Sequence, residues 1–294
     1  MRLSLAIATK GRPDDLRETL ASLASCDPRP HELIVVDGDE GRSAEPVVTE
    51  FAREAAGALP VRYDHTRPGL THQRNVALDL VDGDVVVFVD DDVRFAPQFF
   101  ERLGEPYREP DVVGATGRVI EPQGRRFGNS RSVVRRALFG GGREGTMTRF
   151  GYPRRLQDLT RSRDVEFMQG CLMSARTEVA RELRFDERLP GYGLAEDEDF
   201  SYRLSRRGRV RFAADVEIEH KNTGGSGSAT RSFNRTVVVN RAYLFRKNFR
   251  RTPLARFQFA ALLVLLTAHR AVNREWQGVR GLMDGAVEAW RRPL

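Results

Sequence analysis

Three consecutive aspartates, Asp90, Asp91 and Asp92, follow the uncharged run VVVFV at residues 85–89. Adjacent like charges raise one another's pKa values and cost stability unless a positive group lies among them. Hard divalent cations such as Mg²⁺ and Mn²⁺ prefer carboxylate oxygens and share their coordination shell with substrate phosphates. In an extended segment alternate side chains share a face, so Asp90 and Asp92 could serve one site while Asp91 points elsewhere. Taken alone, the three aspartates fit a solvated turn; together with the features described next, they favour a cation site.

Three further features could belong to the same site. Asp37 ends the apolar segment IVVD, and Arg74 lies in THQRN at the start of a predicted helix. Residues 196–199, EDED, form a second acidic cluster, and His220 follows a predicted strand, where a neutral imidazole can complete a metal shell. Each has a structural alternative: Asp37 as a helix cap, Arg74 as a surface residue, the acidic cluster as favourable first-turn charges and His220 as a strand-end histidine.

Short apolar segments alternate with helical patterns through the first half of the chain. The patterns predict strands at 3–9, 32–37, 61–65 and 84–90, and helices at 13–24, 44–57 and 70–81. Such alternation is typical of βαβ units and a largely parallel sheet. Open α/β sheets bind ligands beyond the carboxyl ends of their strands. Asp37 and the three aspartates lie at such ends.

The second half is less regular. We predict strands at 112–120 and 167–175, a helix over TEVARELR, an acidic turn entering a helix within 191–208, and one or two strands in 209–220. Residues 123–163 carry 11 arginines against one Glu and one Asp, which indicates either a lid over a phosphate-bearing ligand or a solvated loop. The segment GGSGS at 224–228 is a predicted hinge, followed by a mostly helical tail.

Charge is unevenly distributed along the 294 residues, whose formal net charge is +7. From Thr230 onward there are 13 Arg/Lys and 3 Asp/Glu, a balance of +10, so the first 229 residues carry −3. The apolar run at 257–266 is too short for a bilayer span, which takes about 20 residues. The basic tail therefore predicts either docking on an anionic membrane through residues 230–270 or packing on the domain or on a dimer partner. Two distant cysteines, Cys26 and Cys171, indicate no disulfide framework or zinc site, and a cytoplasmic location is expected.

The order of these segments resembles glycosyltransferase family 2, whose nucleotide-sugar-dependent enzymes have the GT-A fold. The resemblance extends from about Leu3 to His220 and rests on AIATKGRP, IVVD, GLTHQRNVAL, FVDDDV, FMQGCLMSAR, FDERLPGYGLAEDEDFSYRLSRRG and EIEH. It implies an α/β protein with a mostly parallel mixed sheet flanked by helices and followed by a helical extension. The expected GT-A domain is 1–223, with a nucleotide-binding half at about 1–120 and an acceptor half at about 121–223; the basic extension is 224–294.

The resemblance also implies site roles. The family's general base aligns with Asp197, with Asp199 as the alternative, and the implied ligands of Mn²⁺ or Mg²⁺ are Asp92, Asp90 and His220. Thr9 and Asp37 would border the base pocket, although Asp39 could replace Asp37 because IVVD continues as GDE. The implied donor-binding residues are Thr9, Asp37, Asp39, Arg74, Asp90 and Asp91.

The implied reaction is a metal-dependent, inverting transfer of one sugar from a UDP-, GDP- or dTDP-sugar to an acceptor hydroxyl, in a glycan or lipid-linked precursor of the cell envelope. Single transfer is favoured because neither tryptophan, Trp276 or Trp290, ends the QxxRW motif of processive members. A nucleotidyltransferase is an alternative, but ATKGRP contains one glycine and is a poor phosphate loop. A nucleic-acid-binding protein would explain the basic tail but not two acidic clusters at strand ends, so no nucleic-acid partner is expected.

Overall fold

The computed structural model describes residues 1–55, 57–121, 142–154, 156, 159–189, 193–221 and 230–291. The chain divides into two compact units, which are described separately below. Met1–Arg125 and Leu156–Asn222 form the first unit; Arg126–Arg155 and Thr223–Leu294 form the second. The later division lies one residue from the predicted boundary at 223/224. The described residues 142–154, predicted within the acceptor half of the catalytic domain, group with the C-terminal helices instead.

One mixed sheet organises the first unit, and nine of its strands lie in the described residues. Their bounds are β1 Leu3–Thr9, β2 Glu32–Asp37, β3 Val61–His65, β4 Val85–Val89, β5 Val93–Phe95, β6 Val112–Ile120, β7 Arg163–Val165, β8 Leu172–Arg176 and β9 Arg209–His220. The strand order is β3-β2-β1-β4-β8-β6-β9-β5, and β7 pairs with β9. The pairs among β1, β2, β3 and β4 are parallel, whereas β8 is antiparallel to both β4 and β6.

Helices connect these strands because parallel neighbours require crossover connections. Within the described part of the first unit they are α1 Pro13–Ala24, α2 Glu45–Glu54, α3 Leu70–Leu80, α4 Phe99–Gly104, α5 Thr177–Leu183 and α6 Glu196–Leu204, with a 3₁₀ turn at Glu105–Arg108. Every residue of β2 and β4 is buried, as expected for central strands covered on both faces. The mixed α/β architecture predicted from the sequence is therefore present.

Most predicted elements match the structure, and the differences have local causes. The helix predicted at 44–57 covers only Glu45–Glu54. The strand predicted at 167–175 begins only at Leu172, because a turn precedes it in which the Leu172 amide donates to the Gln169 carbonyl. Apolar residues at 167 and 168 are buried but lie outside the strand. The short strands β5 and β7 were not predicted, since three residues carry too little pattern.

Residues 209–220 form a single long strand, which settles the alternative of one or two. The register between β6 and β9 shifts between Thr116 and Arg118, so β9 continues past an irregularity. Gly117 lies at this shift, and a Cβ built there would be 2.3 Å from the Val216 carbonyl oxygen. Only glycine permits this approach. The continued strand places His220 opposite Val93 of β5.

The described part of the second unit contains three helices, α7 Arg231–Asn248, α8 Pro253–Val272 and α9 Trp276–Arg291. The hydroxyls of Thr230 and Thr252 accept hydrogen bonds from backbone amides and cap α7 and α8. A small core joins Phe150, Phe245, Ala255 and Leu262. The predicted hinge at 224–228 and the part of the predicted arginine-rich segment at 123–141 lie outside the described residues.

The expectation that the apolar run at 257–266 is too short for a membrane span needs correction. Helix α8 has 20 residues and, by length and composition alone, is the one described helix that could cross a bilayer. The helix is twice as long as the ten-residue run, because it extends through mixed residues at both ends. Only 11% of the most apolar 18-residue stretch of α8 is buried.

Helix α9 packs closely on α7 because glycines face the contact. A Cβ at Gly281 would lie 2.2 Å from the Arg231 carbonyl oxygen, and one at Gly285 would lie 2.7 Å from the Arg235 carbonyl oxygen. Their spacing of four residues puts both on one face of α9. Ion pairs from Arg231 to Asp284 and from Arg235 to Glu288 flank the contact.

We expect Gly281→Ala to separate α9 from α7, because the added methyl would meet backbone that cannot rotate away. The expected loss is about 1–3 kcal/mol of local stability, measured by hydrogen exchange of the α7 and α9 amides. Gly278→Ala is the matched control, since its Cβ would meet mainly the Arg270 side chain at 3.1 Å. Equal exchange rates in Gly281→Ala and the unsubstituted chain would contradict this account of the packing.

Candidate active site

The carboxyl ends of four neighbouring strands meet at one edge of the sheet. Thr9 pairs with Asp37, and Asp37 pairs with His65, so the ends of β1, β2 and β3 are level. Strand β4 pairs with β1 up to the couple Ile7 and Val89, and the three aspartates follow directly. This is the edge at which open α/β sheets bind ligands.

Asp90, Asp92 and His220 converge beyond this edge. One potential ligand atom from each of the three lies within 4.8 Å of the other two. His220 Nε2 is 3.1 Å from Asp92 Oδ1 and 3.8 Å from Asp90 Oδ2. Asp91 points away from this group, as the alternation of side chains along an extended segment requires. We call Asp90, Asp92 and His220 the carboxylate–imidazole group.

Arg12 supplies the positive charge that three adjacent carboxylates need. It precedes α1, and its guanidinium lies 2.7 Å from Asp91 Oδ1 and 2.7 Å from Asp92 Oδ2. Asp15 is also within 3.1 Å of this guanidinium. A planar guanidinium can donate to two carboxylates at once, so Arg12 holds Asp91 and Asp92 in their different orientations.

Asp91 lies beneath the site. Its carboxylate accepts a hydrogen bond from the Thr9 hydroxyl at 2.7 Å. Burial, together with the neighbouring charges of Asp90 and Asp92, raises the pKa of Asp91 to about 7, although Thr9 and Arg12 oppose this rise. Thr9 and Asp91 therefore contact each other, and both are almost wholly buried.

Asp92 and His220 stabilise each other's charged forms. Burial opposes ionisation of Asp92, but hydrogen bonds and charges from His220 and Arg12 outweigh burial and hold its pKa below the usual range. Burial also opposes protonation of His220, yet the Asp92 hydrogen bond and the Asp90 charge raise the pKa of the imidazole. A cation is thus favoured at this position electrostatically.

Helix α6 brings the second acidic cluster to the same region. Its residues Glu196, Phe200 and Leu204 are buried and spaced four apart, so they share the inward face. Phe200 stacks on Phe185 with ring centroids 4.4 Å apart and meets Phe88 of β4 edge-on at 6.4 Å. This aromatic packing fixes the N-terminus of α6 beside the end of β4.

Arg74 links the two acidic clusters. From α3, its buried guanidinium donates to Glu196 Oε1 at 2.6 Å and to the Gly170 carbonyl at 2.8 Å, and it lies 3.4 Å from Asp90 Oδ1. It also stacks over Phe185 at 5.3 Å. Burial raises the pKa of Glu196, and the charge of Arg74 opposes that rise.

Asp197 is held by two backbone amides at the start of α6. The Gly170 amide donates to its Oδ2 at 3.1 Å, and the Glu198 amide donates to its Oδ1 at 2.8 Å. Ala195, immediately before the helix, has φ +72°, a left-handed conformation that is strained for a residue with a Cβ. Burial and the neighbouring charges of Glu196 and Glu198 raise the pKa of Asp197 well above its ordinary value.

Asp199, the alternative base, is in a different environment. It is buried and forms an ion pair with Arg203 at 2.8 Å. Arg203 in turn donates to the carbonyls of Leu183 and Arg184, at 2.7 Å in both cases. Asp199 therefore joins α6 to the end of α5.

Asp37 and Asp39 also differ. Asp37 is fully buried, and its carboxylate accepts hydrogen bonds from the amides of Asp39 and Ala44 and from the Tyr63 hydroxyl. It thereby shapes the turn before α2, much as the capping alternative anticipated. Asp39 is only half-buried, and hydrogen bonds from Ser43 lower the pKa of its carboxyl group.

Sequence reasoning missed Arg12, Glu196 as the partner of Arg74, and the Gly170 peptide. The one signal for Arg12 was the need for a cation near three aspartates, which does not say which arginine supplies it. Glu196 could have been found from its spacing of four from Phe200. Nothing in the local pattern marks Gly170, since its role depends on a turn.

Solved structures share this architecture. The mannosyltransferase PcManGT from Pyrobaculum calidifontis, solved with GDP-Man and Mn²⁺, superposes with a TM-score of 0.62 at 18% identity, covering 99% of this chain and 87% of that one. GalNAc-T7, solved with UDP, GalNAc and Mn²⁺, gives a TM-score of 0.59 at 19% identity, covering 81% and 48%. At such identities the likeness establishes the fold.

Two curated relatives match part of the sequence. The uncharacterized glycosyltransferase YwdF of Bacillus subtilis is 28% identical over 138 residues, 45% of this chain and 49% of the relative. The glucosyl-dolichyl phosphate glucuronosyltransferase of Haloferax volcanii is 32% identical over 124 residues, 41% of this chain and 39% of the relative. The matches span about half the length of these relatives or less.

A family-level match covers more of the chain. Residues 4–184, more than half of the 294, match glycosyl transferase family 2. This stretch includes β1 to β4, the three aspartates and α3. The chain therefore belongs to glycosyl transferase family 2 and has the GT-A fold of nucleotide-sugar-dependent glycosyltransferases.

Proposed function

We propose that the protein transfers a single sugar from a nucleoside-diphosphate sugar to an acceptor hydroxyl, with inversion and with a divalent metal ion. The observation that carries this proposal is the pair of acidic clusters joined by Arg74. One cluster is arranged for a cation, and the other contains a carboxyl group whose pKa is raised, as a general base requires.

The carboxylate–imidazole group fits a divalent ion. It offers carboxylate oxygens from Asp90 and Asp92 and an imidazole nitrogen from His220 within 4.8 Å of one another. Mn²⁺ and Mg²⁺ both accept carboxylate oxygens. When bound, such an ion supplies positive charge that offsets the charge developing on a leaving diphosphate.

Asp197 is the proposed general base. Its two backbone hydrogen bonds fix the carboxylate, and its raised pKa favours accepting a proton from the acceptor hydroxyl as that oxygen attacks the sugar. Asp199 is a poorer candidate because Arg203 holds it in an ion pair.

Arg74 is proposed to position groups on both sides of the site. Its contacts to Asp90, Glu196 and the Gly170 carbonyl account for its guanidinium, so a direct nucleotide contact is not needed to explain this buried arginine. Through Gly170, whose amide binds Asp197, the arginine fixes the base relative to the carboxylate–imidazole group.

The nucleotide is proposed to bind at the ends of β1 and β2. Asp39 is acidic and half-buried there, so its side chain is the proposed contact. Asp37 and Thr9 have supporting roles: Asp37 accepts a hydrogen bond from the Asp39 amide in the turn, and the Thr9 hydroxyl donates to Asp91. A lipid-linked acceptor, such as an envelope glycan precursor, is supported by the name of the Haloferax relative, a glucosyl-dolichyl phosphate glucuronosyltransferase. The proposed inversion at the anomeric carbon of the sugar rests on the family resemblance.

We expect Mn²⁺ together with one of UDP, GDP or dTDP to stabilise the wild-type protein. In Asp92→Asn the part of this stabilisation that depends on Mn²⁺ should be lost. Ligand at 100 times its Kd stabilises the folded form by about 2.7 kcal/mol, which a thermal-shift screen detects. Metal-dependent sugar transfer should fall at least about 100-fold. Asp14→Asn, at an exposed carboxylate paired with Arg17, is the control. Nucleotide shifts without metal dependence would contradict the proposal.

Asp197→Asn should abolish chemistry while sparing donor binding. We expect kcat to fall about 10²- to 10⁴-fold, with the nucleotide thermal shift unchanged. In Asp199→Asn the broken ion pair should instead lower stability by about 1–3 kcal/mol, with kcat within a few-fold of wild type. If Asp199→Asn has the larger catalytic defect, the two assignments must be exchanged.

The pH dependence of kcat should show the base. Protonated Asp197 cannot accept a proton, so activity should be lost as the pH falls through its pKa. Because that pKa is raised, the half-maximal point should lie well above about 3.9, the ordinary value for aspartate. Single-turnover rates in the presence of saturating donor provide the measurement. A rate that stays constant down to about pH 4 would exclude Asp197 as the base.

A further inference from the structure

Large apolar side chains exposed to solvent are concentrated at the C-terminal end of the chain. Of the ten in the described residues, eight lie between positions 254 and 290. Scattered single exposures are normal, but contiguous apolar surface on a soluble domain marks an interaction site. The second unit therefore has a surface that the transferase reaction does not explain.

On α8 six exposed apolar residues form one stripe. They are Leu254, Phe257, Ala260, Val264, Ala268 and Val272, at intervals of three or four. Phe257 and Val264 are each 67% exposed. We call these six residues the α8 stripe.

The opposite face of α8 is already occupied. Ala255 and Leu262 are buried and, with Phe259 and Leu266, pack against Phe245 and neighbouring aromatic residues. The α8 stripe is thus a second apolar face on a helix whose first face is satisfied by its own unit.

Helix α9 has a similar exposed row. Trp276, Met283, Val287 and Trp290 recur at intervals of seven, four and three, and Trp290 is 92% exposed. Their spacing puts them on one face, away from the glycines that contact α7. Tryptophan is enriched where a bilayer meets water, because its ring is apolar and its N–H is polar.

Positive charge surrounds both rows. Arg250, Arg251 and Arg256 are exposed at the start of α8, and Arg274 and Arg280 are exposed after its end. From Thr230 onward the net charge is +10. Apolar surface bordered by arginine matches the surface of an anionic membrane, into which apolar side chains insert while guanidinium groups remain at the headgroups.

We infer that the second unit docks on an anionic lipid bilayer, with α8 lying in the plane of the membrane and the α8 stripe inserted. An in-plane position suits α8 because its other face packs on protein and because Arg256 lies beside the stripe. A basic nucleic-acid surface would not need the exposed apolar residues, and binding of a second copy would not need the charge.

Flotation of the full-length protein with vesicles tests the inference. We expect binding to vesicles containing phosphatidylglycerol, weaker binding when NaCl is raised to about 0.5 M, and little binding to neutral phosphatidylcholine. Phe257→Glu should weaken partitioning at least about tenfold, because the phenylalanine side chain that inserts into the bilayer is lost. Gln277→Glu is the matched control, since it makes the same charge change at an exposed polar position of α9.

The outcomes are distinct from those of the transferase tests. The nucleotide thermal shift should be the same in Phe257→Glu and wild type, which shows that the variant is folded. Absence of vesicle binding at low salt would overturn the inference, as would equal losses in Phe257→Glu and Gln277→Glu. A dimer in sedimentation equilibrium that Phe257→Glu dissociates, without vesicle binding, would assign the α8 stripe to self-association. Resistance to extraction by alkaline carbonate would overturn the in-plane arrangement.

Discussion

Three carboxylates at consecutive positions after β4 are stabilised by two arginines and a histidine that reach them from three other elements. Arg12 comes from the residue before α1, Arg74 from α3 and His220 from the end of β9. Each contact joins parts of the chain that are distant in sequence. The repulsion among the aspartates thus constrains where these elements can lie, and it leaves Asp90 and Asp92 directed towards a common point.

The α/β fold and the GT-A family could be predicted from the sequence. So could the bounds of β1, α1, β2, β3 and β6, because continuous apolar runs or helical periodicity with clear flanking breaks mark these elements. The structure and the family match confirm the fold and the family. The start of β8 could not be predicted, since residues 167 and 168 are as apolar as a strand but precede a turn. The length of α8 was underestimated because counting apolar residues ignores the mixed residues that continue a helix.

Within the site, residue types could be predicted but partners could not. Residue type and position at strand ends assigned Asp90, Asp92 and His220 to one predicted cation site, and in the structure a potential ligand atom of each lies within 4.8 Å of the other two. Arg74 is different: its type fits a nucleotide contact, yet burial beside Glu196 gives it another set of partners. Only side-chain packing distinguishes these roles, and packing depends on residues far apart in the chain.

The small size of residue 170 has a consequence for how such a site can diversify. A Cβ on Gly170 would lie 3.1 Å from Glu196 Oε1 and 3.5 Å from the Asp197 Cβ. An alanine there would crowd the Glu196 carboxylate, would meet Asp197 at ordinary van der Waals distance, and would leave the formal charge of the pocket unchanged. Steric volume at residue 170 therefore acts on the Glu196 carboxylate without adding or removing an ionisable group.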